Sequence, residues 1–499
     1  MRVKPYMFFR EVFTECLFFI ILAPMSIQRP SATLPILISV FFFWGFVAAS
    51  NDILIPVFKQ QLKLEQWQSQ MISFAFYVAY TVGSLLYVLI SRIIGEDLLN
   101  RLGYKNGIAL GLVISALGTL LFYPAAETAS FGLMISGLFI VGLGFSLQQT
   151  AANPLVITIG DPRKGAQRLS LAGGINNIGT TIGPVIVSFA LFGSIAGSNL
   201  DSLSAVKGPY LILGAAFLLV ALLFKFSSLP NQIAHGERDT ETTAVEGSAF
   251  KFPQLRLGMI AIFLYVGVEV STASNLPEYM RVYLNTPVNE IAPYVSLFWA
   301  SLMIGRWTGA VGSFGVKPSL AKVLNVLLPY LAFGIFLFVN AIGGHDITPF
   351  PIYAAVIVVL ILADYLSKGD PAKQLLIFSL CGIASLIIGM LSEGMFAVYA
   401  FISVGLFCST LWPCIFTLAI AGLGKHTNQG SGLLIMMIMG GGFVSLLQGW
   451  LADDQLLSIR YSYLVGVACF AYLAWYAVKV SQLLRQRGIA YHSSPETEA

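Results

Sequence analysis

Two carboxylates stand where a membrane interior would make them costly. Glu269 lies inside the apolar run 257–282, about 18 Å from its start at the α-helical rise, and Asp52 closes an earlier run just before Pro56 and Lys59. An ionisable side chain within hydrocarbon costs about 2.5–3.5 kcal/mol on insertion scales and is a functional candidate by default. A carboxylate at mid-depth can bind and release a proton. Flanked by amide oxygens, it also suits a hard cation such as sodium. Asp52 has a second reading, a solvated carboxylate at the mouth of its helix. Amides at Gln148, Gln149, Asn153, Asn176, Asn177 and Asn275, with rings at Tyr77, Trp299 and Trp412, add donors, acceptors and flat apolar faces. A hydroxyl-rich small ligand needs that combination, although intramembrane amides also serve as helix-to-helix glue. Arg306 sits at the cytoplasmic end of its run, from which it can snorkel, and is expected to be an anchor or gate. Asp364, close to Lys368, is expected to be structural.

Enzyme chemistry finds no support among these residues. His235, His345, His426 and His492 fall in loops or the tail, and no pair has ligand spacing. No metal site and no bound cofactor are expected. Cys16, Cys381, Cys408, Cys414 and Cys469 form no C-x-x-C and lie in or beside apolar runs, where a free Cys is a small hydrophobe. The net charge of +4 calls for no nucleic-acid partner.

The elements that must hold these side chains are transmembrane helices. The chain is 57% hydrophobic and 10% charged, with a mean hydropathy of +0.80; a soluble domain carries about 25% charged residues. Apolar runs long enough to pair their own backbone across a bilayer occur near 34–58, 69–94, 106–123, 131–159, 168–193 and 208–226. After a polar stretch they resume near 257–282, 293–316, 320–343, 350–366, 374–391, 395–422, 429–451 and 460–482. The expected organisation is an N-terminal extension 1–32, a six-helix bundle 33–226, a cytoplasmic linker 227–254, a second bundle 255–482 and a cytoplasmic tail 483–499. The extension reads as a signal peptide, an interfacial helix or a start-site artefact ahead of Met25, with the artefact the favoured of the three. With the N-terminus inside, Lys59, Lys63, Lys207, Arg281 and Arg460 fall outside and the other Lys and Arg of the 28 fall inside. That bias orients the set and places both termini in the cytoplasm.

The two bundles echo each other. Gln-Gln-Thr-Ala-Ala-Asn-Pro-Leu at 148–155 corresponds to Cys-Ser-Thr-Leu-Trp-Pro-Cys-Ile at 408–415. The following run in each half is rich in glycine: Gly173, Gly174, Gly179 and Gly183, then Gly430, Gly432, Gly440, Gly441, Gly442 and Gly449. Small residues let helix backbones approach closely, and duplicated bundles are common among transporters.

Several motifs carry a resemblance. Asn51-Asp52-Ile53-Leu54-Ile55-Pro56, Thr150-Ala151-Ala152-Asn153-Pro154, Arg168-Leu169-Ser170-Leu171 with Asn176, and Phe263-Leu264-Tyr265-Val266-Gly267 are four of them. Gly305-Arg306-Trp307-Thr308-Gly309 and Ile438-Met439-Gly440-Gly441-Gly442 complete the series. In this order they resemble the fucose–proton symporter family of the major facilitator superfamily, over roughly 33–318 and 371–482. The resemblance implies an all-α membrane fold of two pseudo-symmetric six-helix bundles. It also implies symport of a monosaccharide of the glucose, galactose, fucose or N-acetylglucosamine kind with a proton or sodium ion, by alternating access. On this footing Asp52 and Glu269 are coupling candidates. Gln149, Asn153, Asn176, Asn275 and Trp412 are sugar-binding candidates, and Asp97, Arg101 and Arg306 are gate candidates. Asp97, Arg101, Gly103 and Lys105 match in part the charged loop that closes the inner side in the wider superfamily. The expected protein is monomeric, in the lipid of a bacterial inner membrane, with a small sugar and a coupling cation as its partners. A transporter-like sugar sensor and an efflux carrier for another solute are the competing readings.

The departures are specific. Where fucose members begin the fourth-helix motif with a glutamate, this chain has Gln149; where they carry glutamine in the seventh helix, it has Glu269. Both exchanges look like the family's glucose/galactose branch. Gly173 replaces a sugar-contacting glutamine. Two extra runs, within 319–368, stand between Lys317-Pro318 and Ala372-Lys373-Gln374-Leu375-Leu376. An inserted hairpin of this kind gives fourteen helices and preserves the orientation of everything after it.

Overall fold

The computed structural model describes residues 34–47, 66–159, 164–192, 207–227, 231, 248–286, 288–314, 316–452 and 456–489. Asp52, the extension and most of the linker therefore lie outside the described residues. Within them the regular structure is helical and contains no strand. The principal helices are α1 (Leu34–Val47), α2 (Gln66–Ile94), α3 (Tyr104–Leu120), α4 (Phe131–Thr158), α5 (Gly165–Phe192) and α6 (Lys207–Phe226). They continue with α7 (Pro253–Leu284), α8 (Val288–Ala310), α9 (Pro318–Ile342), α10 (Tyr353–Ser367) and α11 (Pro371–Leu391). The last are α12 (Gly394–Ile420), α13 (Gly424–Leu451) and α14 (Ser458–Gln486). Among the described residues ten helical segments are long and apolar enough to cross a membrane, and Leu34–Val47 and Tyr210–Phe226 are apolar but shorter. Leu320, Val323, Leu327 and Leu331 make an exposed apolar stripe down α9, a surface suited to lipid rather than water.

Local chemistry sets several helix ends. The Ser130 hydroxyl accepts from the Leu133 N–H at the start of α4. Between α10 and α11 the chain turns in three residues: Lys368 and Gly369 take positive φ, and Asp370 caps the Ala372 and Lys373 N–H groups at 2.8 and 3.2 Å. A left-handed C-terminus followed at once by an Asp N-cap and Pro371 is a short helix-to-helix connection.

The helices divide into two compact units. The first draws on the chain up to Gly160, on 172–233 and on 335–348; the second draws on 161–171, 234–334 and 349–499. Within the first unit α1 meets α5, α2 meets α4, and α3 meets α4 and α6. Within the second, α7 meets α13, α8 meets α12, and α11 meets α12 and α14. With α9 and α10 set aside, the two pairing schemes are the same. Glycines make the crossings close. A methyl group at Gly45 would collide with the Asn176 carbonyl oxygen, and one at Gly440 would collide with that of Phe263. Gly442 and Gly449, by contrast, face open space.

Candidate functional site

In the first unit the fourth-helix motif divides into a glued half and an open half. Gln148 is fully buried. Its Oε1 accepts from Trp44 Nε1 at 2.7 Å and its Nε2 donates to Ser115 Oγ at 3.0 Å, joining α1, α4 and α3. Both ends of that amide are used, so it is a packing residue. Gln149, next in sequence, points away from that buried cluster and is half-buried; its Nε2 donates to the Tyr80 hydroxyl of α2 at 3.0 Å. Asn153 is buried with an Nδ2 that meets no acceptor, an expensive state for a donor. It is followed by Pro154 inside the helix, which has no N–H to offer the preceding turn. Asn176 on α5 is half-buried, and its Nδ2 donates to the Phe41 carbonyl of α1 at 2.8 Å.

In the second unit Glu269 is brought together with groups of its own helix and of two others, α8 and α12. The Tyr265 hydroxyl, one turn earlier on α7, donates to Glu269 Oε2. The Arg306 guanidinium of α8 lies within electrostatic reach of Glu269, Tyr265 and Cys408. Arg306 Nε donates to the Ser409 carbonyl at 3.1 Å. Ser409 and Thr410 form a break in α12, which ends one helical segment at Cys408 and restarts at Leu411. The break leaves a carbonyl able to accept from Arg306, and Gly305 provides the room, since a methyl there would collide with Ser409 Oγ. Trp412, just past the break, is half-buried with its ring centroid 6.2 Å from that of Tyr265. Asn275 is half-buried further along α7, its Nδ2 donating to the Ser271 carbonyl at 2.8 Å. The Ser271, Thr272 and Thr410 hydroxyls are buried without hydrogen-bond partners.

Asp97 and Arg101 lie in the connection between α2 and α3. The Asp97 carboxylate accepts from the Tyr87 hydroxyl at 2.8 Å and from the Leu99 N–H at 2.9 Å, capping the short helix Leu98–Leu102. Arg101 is exposed. The Tyr104 N–H donates to the Asn231 carbonyl at 2.9 Å, and Lys105 Nζ to that of Ser227 at 3.2 Å. This connection thus packs on the chain leaving α6. In the second unit the first turns of α5 lie against the GRWTG helix and the turn after it, Ser170 near Gly309 and Gln167 against Gly312.

Tyr80, Tyr265, Trp44 and the Ser409 carbonyl are not among the expected site groups. A buried Trp or Tyr needs a partner for its polar atom, so an aromatic beside an intramembrane amide or carboxylate is the available signal for the first three. The carbonyl has a signal too: Pro413, four residues on, has no N–H to give it, so the Ser409 oxygen is left for another donor. Among the described residues no group of three or more His, Cys, Asp and Glu could hold a metal ion.

The Major Facilitator Superfamily model matches residues 36–363. A glucose/galactose transporter of Brucella abortus is 32% identical over 441 residues, 88% of this chain and 91% of that protein. The L-fucose–proton symporter of Escherichia coli is 28% identical over 461 residues, 89% of this chain and 91% of its own length. The crystal structure of a variant of the Escherichia coli fucose–proton symporter superimposes with a TM-score of 0.68 at 26% identity, covering 90% of this chain and 98% of that one.

Proposed function

Because the chain belongs to the major facilitator superfamily, in its fucose–proton symporter family, we propose that it imports a monosaccharide together with a proton by alternating access. It is a multi-pass membrane protein and a transporter rather than an enzyme. Of the sugar class, glucose, galactose and fucose are the sugars named for relatives similar over about nine-tenths of the chain; N-acetylglucosamine is added from the sequence reading alone. The observation that carries the coupling is Glu269 on α7, hydrogen-bonded by Tyr265 and within electrostatic reach of Arg306. Glu269 takes the place of the glutamate that the fucose pattern puts at Gln149, and Asp52 is assigned the second coupling role. Gln149, Asn153, Asn176, Asn275 and Trp412 are assigned to the sugar. Asp97 and Arg101 are assigned to the inner gate, and Arg306 to gating through the α12 break.

We further assign fourteen crossings, both termini to the cytoplasm of a bacterium, and α9–α10 to a hairpin inserted in a twelve-helix plan. What supports the insertion is that the two units pair their helices alike once this hairpin is left out.

The test is uptake of the four labelled sugars into proteoliposomes, driven by a pH gradient or by a sodium gradient. The expected outcome is accumulation with the pH gradient, abolished in Glu269→Gln, with sugar counterflow retained. Accumulation by Glu269→Gln equal to that of the parent ends the coupling assignment. Dependence on sodium alone moves the ion from proton to sodium.

A further inference from the structure

The α9–α10 hairpin turns apolar side chains such as Val323, Leu327, Val358 and Leu362 to the outside, yet α10 also carries a carboxylate. Asp364 Oδ1 accepts from Gln374 Nε2 of α11 at 2.9 Å. Gln374 is buried, and its Oε1 accepts from the Cys414 thiol of α12 at 3.4 Å. An amide has one donor end and one acceptor end, so the carboxylate fixes which way Gln374 lies. With Nε2 held by Asp364, Oε1 must face the weakly donating thiol. Cys414 stands where α12 restarts after its break: its N–H donates to the Thr410 carbonyl at 3.2 Å, and Trp412 is two residues before it.

Other polar contacts tie the hairpin to α8 and again to α12. The Ser301 hydroxyl of α8 already donates to the Leu297 carbonyl at 2.7 Å. At 2.8 Å from it, the Tyr353 hydroxyl of α10 is therefore the donor. Tyr399 of α12 donates to the Pro349 carbonyl in the turn of the hairpin at 2.7 Å. Arg306 and Trp412 thus sit on α8 and α12, two of the three helices that the hairpin grips. A hairpin that merely lay in lipid would need no carboxylate, and a carboxylate there costs stability that leucine would not.

From these contacts we infer that the inserted hairpin is a brace for α12, and that Asp364, acting through Gln374 and Cys414, is a positioning residue for the Trp412 segment. The brace stands on its own contacts; its effect on sugar affinity rests on the transport reading above. Two variants with the same branched side-chain shape separate the hydrogen bond from packing, because Asp364→Asn keeps an acceptor and Asp364→Leu, which is bulkier, does not. In full-length protein in liposomes, N-ethylmaleimide labelling is read at Cys414 by peptide mass spectrometry, with the more accessible Cys381 as internal standard. Asp364→Leu is expected to label at Cys414 about tenfold faster than the parent, and Asp364→Asn within about twofold of it. In uptake assays Asp364→Leu raises the sugar KM about five- to tenfold with the maximal rate within about twofold, and Asp364→Asn restores the KM. Unchanged Cys414 labelling in Asp364→Leu overturns the brace. So does an equal loss in both variants, which would mark Asp364 as a general packing residue. A parent that carries none of the four sugars removes the transport reading, and the labelling still decides the brace.

Discussion

At the scale of single residues, adjacent amides with the same chemistry have opposite fates. Gln148 and Gln149 are indistinguishable as residue types, yet one is locked between Trp44 and Ser115 and the other is half-open beside Tyr80. Which face of α4 each occupies depends on the neighbours of that helix, and no local pattern announces them. Glu269 was legible, because a carboxylate deep in an apolar run has few structural excuses. Its tyrosine partner, one turn earlier on the same helix, left a signal in the spacing; its arginine neighbour did not, since Arg306 lies on another helix. Tyr265→Phe keeps the ring against Trp412 and removes the hydroxyl that donates to Glu269. The expected result is a roughly tenfold slower initial rate of gradient-driven uptake, the size of one hydrogen bond to a charged group. Counterflow of labelled sugar should stay within about twofold. Equal losses in both assays would place Tyr265 in sugar binding instead of coupling.

At the scale of helices, the glycines sort by what faces them. Gly45 and Gly440 stand where α1 crosses α5 and α7 crosses α13, with a backbone carbonyl at the position a methyl would take. A carbonyl cannot rotate aside as a side chain can, so the two helices must separate. Gly440→Ala is therefore expected to destabilise the protein by about 1–3 kcal/mol, the usual range for an overpacked contact. Gly442→Ala, facing open space, should stay within about 0.5 kcal/mol of the parent. Thermal unfolding of the detergent-solubilised protein, followed by tryptophan fluorescence, checks both. A Gly442→Ala loss as large as that of Gly440→Ala would mean that conformational freedom, rather than close approach, keeps glycine in this helix. Composition pointed to the crossings without saying which glycines made them.

At the scale of the molecule, the topology assignment has a direct check. Single cysteines placed at 344–349 and at 367–373, in a cysteine-free background, are expected to label with a membrane-impermeant maleimide from opposite sides. The first group should react from outside and the second from inside; labelling from one side would remove the inserted hairpin from the topology. The class of protein was settled by the sequence, because a bilayer demands long runs of self-satisfied apolar helix, and such runs are written locally, residue after residue. The family was legible for the same reason: its motifs are short and lie in order along the chain. The tertiary structure decided what depends on contact between distant residues. It pairs α1 with α5 and α7 with α13, and it brings Arg306 of another helix to the Ser409 carbonyl that Pro413 leaves free. It also gives Asp364, expected to be structural beside Lys368, a buried amide to hold, and that amide in turn takes the Cys414 thiol. Hydrogen bonds and close helix crossings depend on position in space, and a one-dimensional pattern carries the residue types without the distances that make them partners.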